Sequence, residues 1–190
     1  MAKKVKVGII GCGKIARVLH APALIDLKGK AVIAGLVDSK QSKARKFNKD
    51  LGLEAVVYKT VDDLLASDVD AVIVSTPNTS HFPISMQALK AGVHLLVEKP
   101  IAVSLAEAKA MIREAGKRKR ILQVNQTLRF TPVYCKVKEL IDAGVIGEVM
   151  HCRCLRAHAE SPDKGRSKGA KWFVQKKLRG GLIMDIAVHM

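Results

Sequence analysis

The chain reads as an α/β protein, a doubly wound parallel sheet followed by an incomplete α/β unit with an open sheet. Three observations predict this. Short apolar runs rich in valine and isoleucine alternate with stretches of helical length, as strands buried on both faces alternate with their crossover helices. Helix-capping residues and glycines punctuate the boundaries. The first apolar run leads straight through a paired-glycine turn into a helical stretch, the opening of a Rossmann-type unit.

Each element follows in order. Val5 to Ile10 forms the first strand, Gly11-Cys12-Gly13 the turn, and residues from about Lys14 to Asp26 a helix. Ala31 to Val37 is the second strand and ends at Asp38. A polar helix from about Ser39 to Leu51 stops at Gly52, where a C-terminal glycine belongs. Ala55 to Val57 gives a brief third strand and Val61 to Ala66 a short helix. Ala71 to Ser75 is a buried strand running into Thr76-Pro77-Asn78, after which His81 to Ala91 reads as a helix capped by Ser80 or Thr79 and ended by Gly92. Val93 to Val97 is the next strand and delivers Glu98-Lys99-Pro100. Ser104 caps a helix through about Gly116, with Glu107 completing a capping box, and Ile121 to Asn125 is the last strand of this unit. The expected boundary puts a dinucleotide-binding domain at 1–124 and the start of a second domain at 125–190.

Beyond it the rhythm changes. Pro132 opens a helix to Ala143, Gly144 and Gly147 bracket a turn, and Glu148 to His158 alternates as a long strand. Residues 159–180 are polar and basic, a loop around Trp172 and Phe173, and Gly181 to His189 starts an apolar helix. A lone strand and a helix cannot close a core by themselves, so this unit is expected to be incomplete, a truncated start of a domain, or dependent on something else.

Composition narrows the function. No apolar run approaches the roughly 20 residues of a membrane span, and the start lacks a signal-peptide core, which predicts a cytoplasmic protein without a membrane partner. Four cysteines, Cys12, Cys135, Cys152 and Cys154, are too irregular for a disulfide framework and are expected to be reduced. The net charge of +16 raises nucleic acid as a partner, and the excess leans to the C-terminal part. Lys117-Arg118-Lys119-Arg120 nevertheless sits where a helix ends and cations are favoured, and at 4% aromatics stacking platforms are scarce, which disfavours that partner. His151-Cys152-x-Cys154 with His158 has the spacing of one strand face, not of a structural zinc site, and no metal is expected.

The nucleotide site is built from Gly11-x-Gly13-x-x-Ala16. Gly11 permits the tight turn, Gly13 lets backbone approach a diphosphate, and Ala16 keeps the helix against the sheet. The helix N-terminus at Lys14 and Ile15 offers its amides to the phosphates. Asp38, followed by Ser39, ends the next strand where ribose hydroxyls are read, and its carboxylate leans the choice to NAD with NADP still open. Lys40, Lys43 and Arg45 read as a solvated helix face.

Gly11-x-Gly13-x-x-Ala16, Thr76-Pro77-Asn78-x-x-His81, Glu98-Lys99-Pro100 and Gly180-Gly181-x-x-x-Asp185-x-x-x-His189 follow one another in the order that resembles the glucose-fructose oxidoreductase, inositol dehydrogenase and rhizopine catabolism (Gfo/Idh/MocA) family, over the whole chain. Leu128-Arg129-Phe130-Thr131-Pro132 and Gly147-Glu148-Val149 look like the junction between that family's domains. The resemblance implies a nicotinamide-dependent oxidoreductase acting on a sugar, cyclitol or related polyol, and leaves room for a homo-oligomer. It implies catalytic roles for Lys99 near nicotinamide and substrate, for His189 as acid/base and for Asp185 as its partner. Thr76, Pro77, Asn78 and His81 would line the ribose and nicotinamide end, with Glu98 nearby. Intact members of the family are longer, so a non-catalytic dinucleotide-binding module stands as the alternative, and a nucleic-acid binder as the third.

Overall fold

The computed structural model of the protein describes residues 3–155. The chain divides into two compact units, Met1–Val124 and Asn125–Met190. The first unit is a parallel sheet of six strands, β1 (Val5–Ile10), β2 (Ala31–Val37), β3 (Val56–Val57), β4 (Ala71–Val74), β5 (His94–Glu98) and β6 (Leu122–Asn125). Their order is β3-β2-β1-β4-β5-β6, so the winding reverses between β1 and β4. Open sheets of this kind take ligands at that reversal, outside the carboxyl ends of the strands.

Apolar side chains on successive residues face opposite layers. Val72 and Val74 of β4 join a cluster with Leu64, Ala88, Leu89, Val93, Met111 and Ala115, while Ile73 between them packs with Val7 and Ala31 on the other side. The first layer holds α3 (Val61–Leu65), α4 (Asn78–Lys90) and α5 (Leu105–Arg118). The second layer holds the helix over residues 14–26 and α2 (Gln41–Asp50), where Ala16, Ala44 and the fully buried Phe47 cover Ile9, Ile33 and Leu36. Arg17 lies over the Phe47 ring at 5.2 Å and pairs with Asp50 at 3.1 Å.

Two local irregularities have clear causes. The helix over 14–26 is α at Lys14 and Ile15 and again over Ala21–Asp26 (α1), and between them Ala16–His20 forms a π turn in which Ala21 N–H reaches back to Ala16 O. Pro22 follows immediately and has no N–H to give to the preceding turn, so the ladder loosens just ahead of it. In the sheet the β1–β2 register shifts after Val7, so Gly8 pairs with Gly35 and Ala34 is an extra residue. A Cβ on Gly8 would stand 2.9 Å from Leu64 Cδ2, and one on Gly35 2.3 Å from Leu64 Cδ1. The two bare strands thus form the floor on which α3 rests its one fully buried leucine.

The elements differ from the sequence reading at four places. Helix α4 begins at Asn78 behind Pro77, not at His81, and neither Ser80 nor Thr79 caps it, since Pro77 already holds the extended dihedrals of an N-cap. Ser104 Oγ accepts the Glu107 amide as expected, but Glu107 Oε2 accepts from Val103 N–H, one residue before the cap, so the box is not closed. Helix α5 continues past Gly116 to Arg118, and Lys119 ends it in the left-handed region at φ 54°. Residues 148–155 form no strand among the described residues, for a strand needs a ladder partner and this part of the second unit supplies none.

Within the second unit a 3-10 turn over Thr127–Phe130 precedes α6 (Pro132–Asp142), which opens on Pro132 as expected. Gly144 and Gly147 take positive φ in the turn that follows. The loop expected over 159–180 and the helix expected over Gly181 to His189 lie outside the described residues.

Candidate functional site

The carboxyl ends of β1, β2, β4 and β5 bring four loops to one edge of the sheet. At the first, Gly11 has φ +97°, and a Cβ there would sit 2.3 Å from the Ser75 carbonyl oxygen. This glycine therefore serves both the turn and the close approach of the loop after β4. Gly13 is different: an added Cβ would meet nothing within 4 Å, so its backbone faces open space. Lys14 and Ile15 follow as exposed residues at the start of the helix, and Ala16 is fully buried.

Asp38 is buried at the end of β2 and ties the loops together. Its Oδ2 accepts from Cys12 N–H at 3.0 Å and its Oδ1 from Lys40 N–H at 3.0 Å, with Ser39 Oγ at 3.5 Å. A carboxylate has about four acceptor sites, and these donors together with Lys43 Nζ face all of them, so a ribose hydroxyl would take the place of one of the side-chain donors, Ser39 or Lys43. Lys43 is exposed, as expected of a solvated helix face, and its Nζ also lies 3.3 Å from Asp38 Oδ2, whereas Arg45 bonds Gln41 at the surface. Burial, helped by the Asp38 charge, pushes the Cys12 thiol up to about 12, which leaves it a packing group without nucleophilic character.

The loops after β4 and β5 are joined by His81. Its Nδ1 lies 2.7 Å from Pro100 O and its Nε2 2.9 Å from Thr76 O, and the ring is 1% exposed. Thr76, Pro77 and Asn78 form the turn into α4, with Asn78 buried and Pro77 exposed. Thr76 Oγ1 is buried without a hydrogen-bond partner. Glu98 is the last residue of β5, Lys99 is half-buried, and the Lys99–Pro100 peptide is cis. Glu98 Oε2 accepts from the Lys99 amide at 3.2 Å.

His20 escaped the sequence reading. Its Nε2 lies 2.8 Å from Glu98 Oε1, and both side chains are about nine-tenths buried. The signal was available in the helical period: Ala16 faces the sheet, position 20 is one turn later on the same face, and a histidine at an inward position needs a partner. Its partner, 78 residues away, was not readable. Asp185 and His189 lie outside the described residues.

The edge fits an extended diphosphate ligand. Open space over Gly13 at a helix start, an acceptor-rich Asp38 and the orphaned Thr76 hydroxyl lie on successive loops around the winding reversal. Fold and site together define a dinucleotide-binding α/β protein of the doubly wound class. The family profile described as "Oxidoreductase family, NAD-binding Rossmann fold" matches residues 5–126, and that of the "GFO/IDH/MocA C-terminal domain" matches 134–190. The chain belongs to the Gfo/Idh/MocA oxidoreductase family and carries its NAD(P)-binding Rossmann domain.

Similar proteins include the scyllo-inositol 2-dehydrogenase (NAD(+)) of Bacillus subtilis strain 168, 29% identical over 189 residues, covering 100% of this chain and 52% of that protein. Among solved structures, an oxidoreductase from Thermotoga maritima aligns with TM-score 0.72 and 34% identity over 77% of this chain and 45% of its own. A 3-ketoreductase from Actinomadura kijaniata in complex with NADP aligns with TM-score 0.67 and 32% identity, over 77% of this chain and 46% of its own. The chain spans about half the length of the curated relatives it matches. No helix among the described residues is long and apolar enough to cross a membrane.

Proposed function

We propose that the protein is an NAD(P)-dependent oxidoreductase that transfers a hydride between its cofactor and a sugar, cyclitol or related polyol. The observation that carries this reading is the arrival of the glycine turn, Asp38, the Thr76 loop and Lys99 at one edge of the sheet, around the reversal of its winding. In it Gly11, Gly13, Lys14 and Ile15 take the diphosphate, Asp38 and Ser39 the ribose next to it, and Thr76, Pro77, Asn78, His81, Glu98 and Lys99 the nicotinamide end. The names of the relatives support the substrate class. Asp38 favours NAD over NADP because a carboxylate repels a 2′-phosphate, and Lys43 beside it weakens that preference without reversing it.

The nicotinamide, when bound, accepts the hydride from the carbinol carbon. The protein has to remove the hydroxyl proton as that hydride departs. His189 takes it, an imidazole being the usual group for that task, and Asp185, four positions earlier on the expected helix, orients the ring. Lys99 donates to the same oxygen and stabilises the charge that develops there. Residues 1–124 thus serve the cofactor and residues 125–190 begin the substrate side. A cytoplasmic location belongs to the same reading, in keeping with four cysteines left free.

Fluorescence titration with NADH and NADPH in parallel, followed by an oxidation screen over polyols, tests the proposal. Saturable binding with NADH preferred, and turnover of at least one polyol, is expected. Lys99→Ala is expected to slow hydride transfer about 100-fold while changing cofactor affinity much less. Binding without turnover across the panel leaves the chain a dinucleotide-binding module. An unchanged rate in Lys99→Ala removes that lysine from the chemistry.

A further inference from the structure

Two separate parts of the cofactor edge meet below it. The π turn Ala16–His20 continues the helix that starts behind the glycine turn, and Glu98 ends the strand that presents Lys99. His20 Nε2 joins them, 2.8 Å from Glu98 Oε1, with His20 6% and Glu98 8% exposed. A carboxylate only accepts, so the imidazole donates from Nε2. The other carboxylate oxygen of Glu98 takes the Lys99 amide, and two residues along the loop Pro100 O lies against His81. The backbone of Lys99 is therefore held on both sides.

A buried histidine–carboxylate pair is an expensive way to fill space, since an apolar pair of like volume avoids desolvating either group. The helix also adopts a π turn over the segment that ends in His20, and such turns recur at functional sites. The histidine–carboxylate pair adds nothing to the hydrophobic layer, whose members include Ile9, Ala16, Ala21, Ile33 and Leu36, and it holds Glu98.

We infer that His20 is a positioning residue for Lys99: by holding Glu98 it fixes the Lys99 backbone against the cofactor edge and couples the lysine loop to the glycine-turn helix. The inference rests on the proposed cofactor site and adds to it a residue that touches neither cofactor nor substrate. Its action passes through two hydrogen bonds, His20 to Glu98 and Glu98 to the Lys99 amide. A displacement of about 1 Å at a reacting group is enough to cost about 100-fold in rate, which is the scale on which such a brace matters.

The test reads the cover of Lys99 and does not require turnover. The full chain is acetylated with an amine-specific reagent with and without NADH, and the modification at Lys99 is quantified by peptide mass spectrometry. Wild type is compared with His20→Gln, whose amide N–H can stand where Nε2 stands, with His20→Asn, one methylene too short, and with His20→Leu, which has no donor. Each protein is assayed at about ten times its own Kd for NADH, where a lysine lying against the cofactor reacts about tenfold more slowly because only the free fraction is open. Matching the saturation removes differences in affinity between variants.

Protection of that size is expected in wild type and His20→Gln, falling below about twofold in His20→Asn and His20→Leu. Equal protection in all four overturns the role of His20 and leaves the cofactor site standing. Loss in His20→Gln as complete as in His20→Leu also overturns it, because shape and not the donor is then what matters. Should His20→Leu fail to fold, the Gln and Asn variants decide alone. A wild-type chain that does not bind NADH, or binds it without covering Lys99, sinks the cofactor reading itself, and that result appears before any variant is made.

Discussion

His81 sets its two ring nitrogens against two carbonyl oxygens, at 2.7 Å from Pro100 O and 2.9 Å from Thr76 O. A neutral imidazole has one N–H, so a proton would complete the second bond. Burial outweighs that gain and the pull of Glu98, and holds the pKa below its usual 6.5. The folded protein then binds less proton than the unfolded chain once the pH falls below about 6.5. The contribution is whole above that value and is lost as the pH drops through the lower folded-state pKa. Urea midpoints are expected to fall between about pH 7.5 and about pH 5, and to fall less in His81→Gln. Parallel slopes for the two proteins would rule out His81 as the source. Gly11, Gly13 and Asp38 were legible in the sequence because each answers to a neighbour a few positions away or to a strand end. Of His20 only the inward position was legible, since its partner Glu98 lies 78 residues away.

At the scale of elements, the docking of α3 depends on what is missing beneath it. Thr60 and Asp63 close a capping box at its start, two reciprocal side-chain to backbone bonds that fix where so short a helix begins. Leu64 then fills the depression that Gly8 and Gly35 leave. Leu64→Ala is expected to cost about 2–5 kcal/mol by opening a cavity. Gly35→Ala is expected to cost about 1–3 kcal/mol by overpacking. In the Leu64→Ala background the added methyl is relieved of its shortest contact and keeps that with the Tyr58 ring, Cε2 at 2.9 Å, so the two costs should fall short of their sum by at least about 1 kcal/mol in a denaturation cycle. Strict additivity would mean that these side chains do not share the space. Strands such as Ala71–Val74 were readable because a run buried on both faces leaves no polar choice. Helix starts were less so: Thr79 and Ser80 are good cap residues, but Pro77 ahead of them had already set the backbone.

For the whole molecule, the doubly wound parallel sheet follows from alternation, and the sequence carries alternation in plain sight. The second unit was harder for a physical reason. Glu148 to His158 alternates as a strand should, yet residues 148–155 find no ladder among the described residues, because pairing belongs to two segments and pattern to one. The division after Val124 leads to a prediction at this scale. Residues 1–124 expressed alone are expected to unfold in one cooperative transition, stabilised by about 2.7 kcal/mol when NADH is present at about 100 times its Kd. A broad transition that NADH does not move would show that the sheet depends on the rest of the chain.

The two-residue β3 has a consequence for crowded solution. It is the outermost strand on its side, and a rung or two of amides gives a neighbouring molecule almost nothing to zip onto. Sheet-to-sheet aggregation is therefore blunted along this border by brevity, and the exposed Glu54 and Lys59 set a charge on either side of it. A substitution that lengthened β3 would trade away that protection for a few more hydrogen bonds.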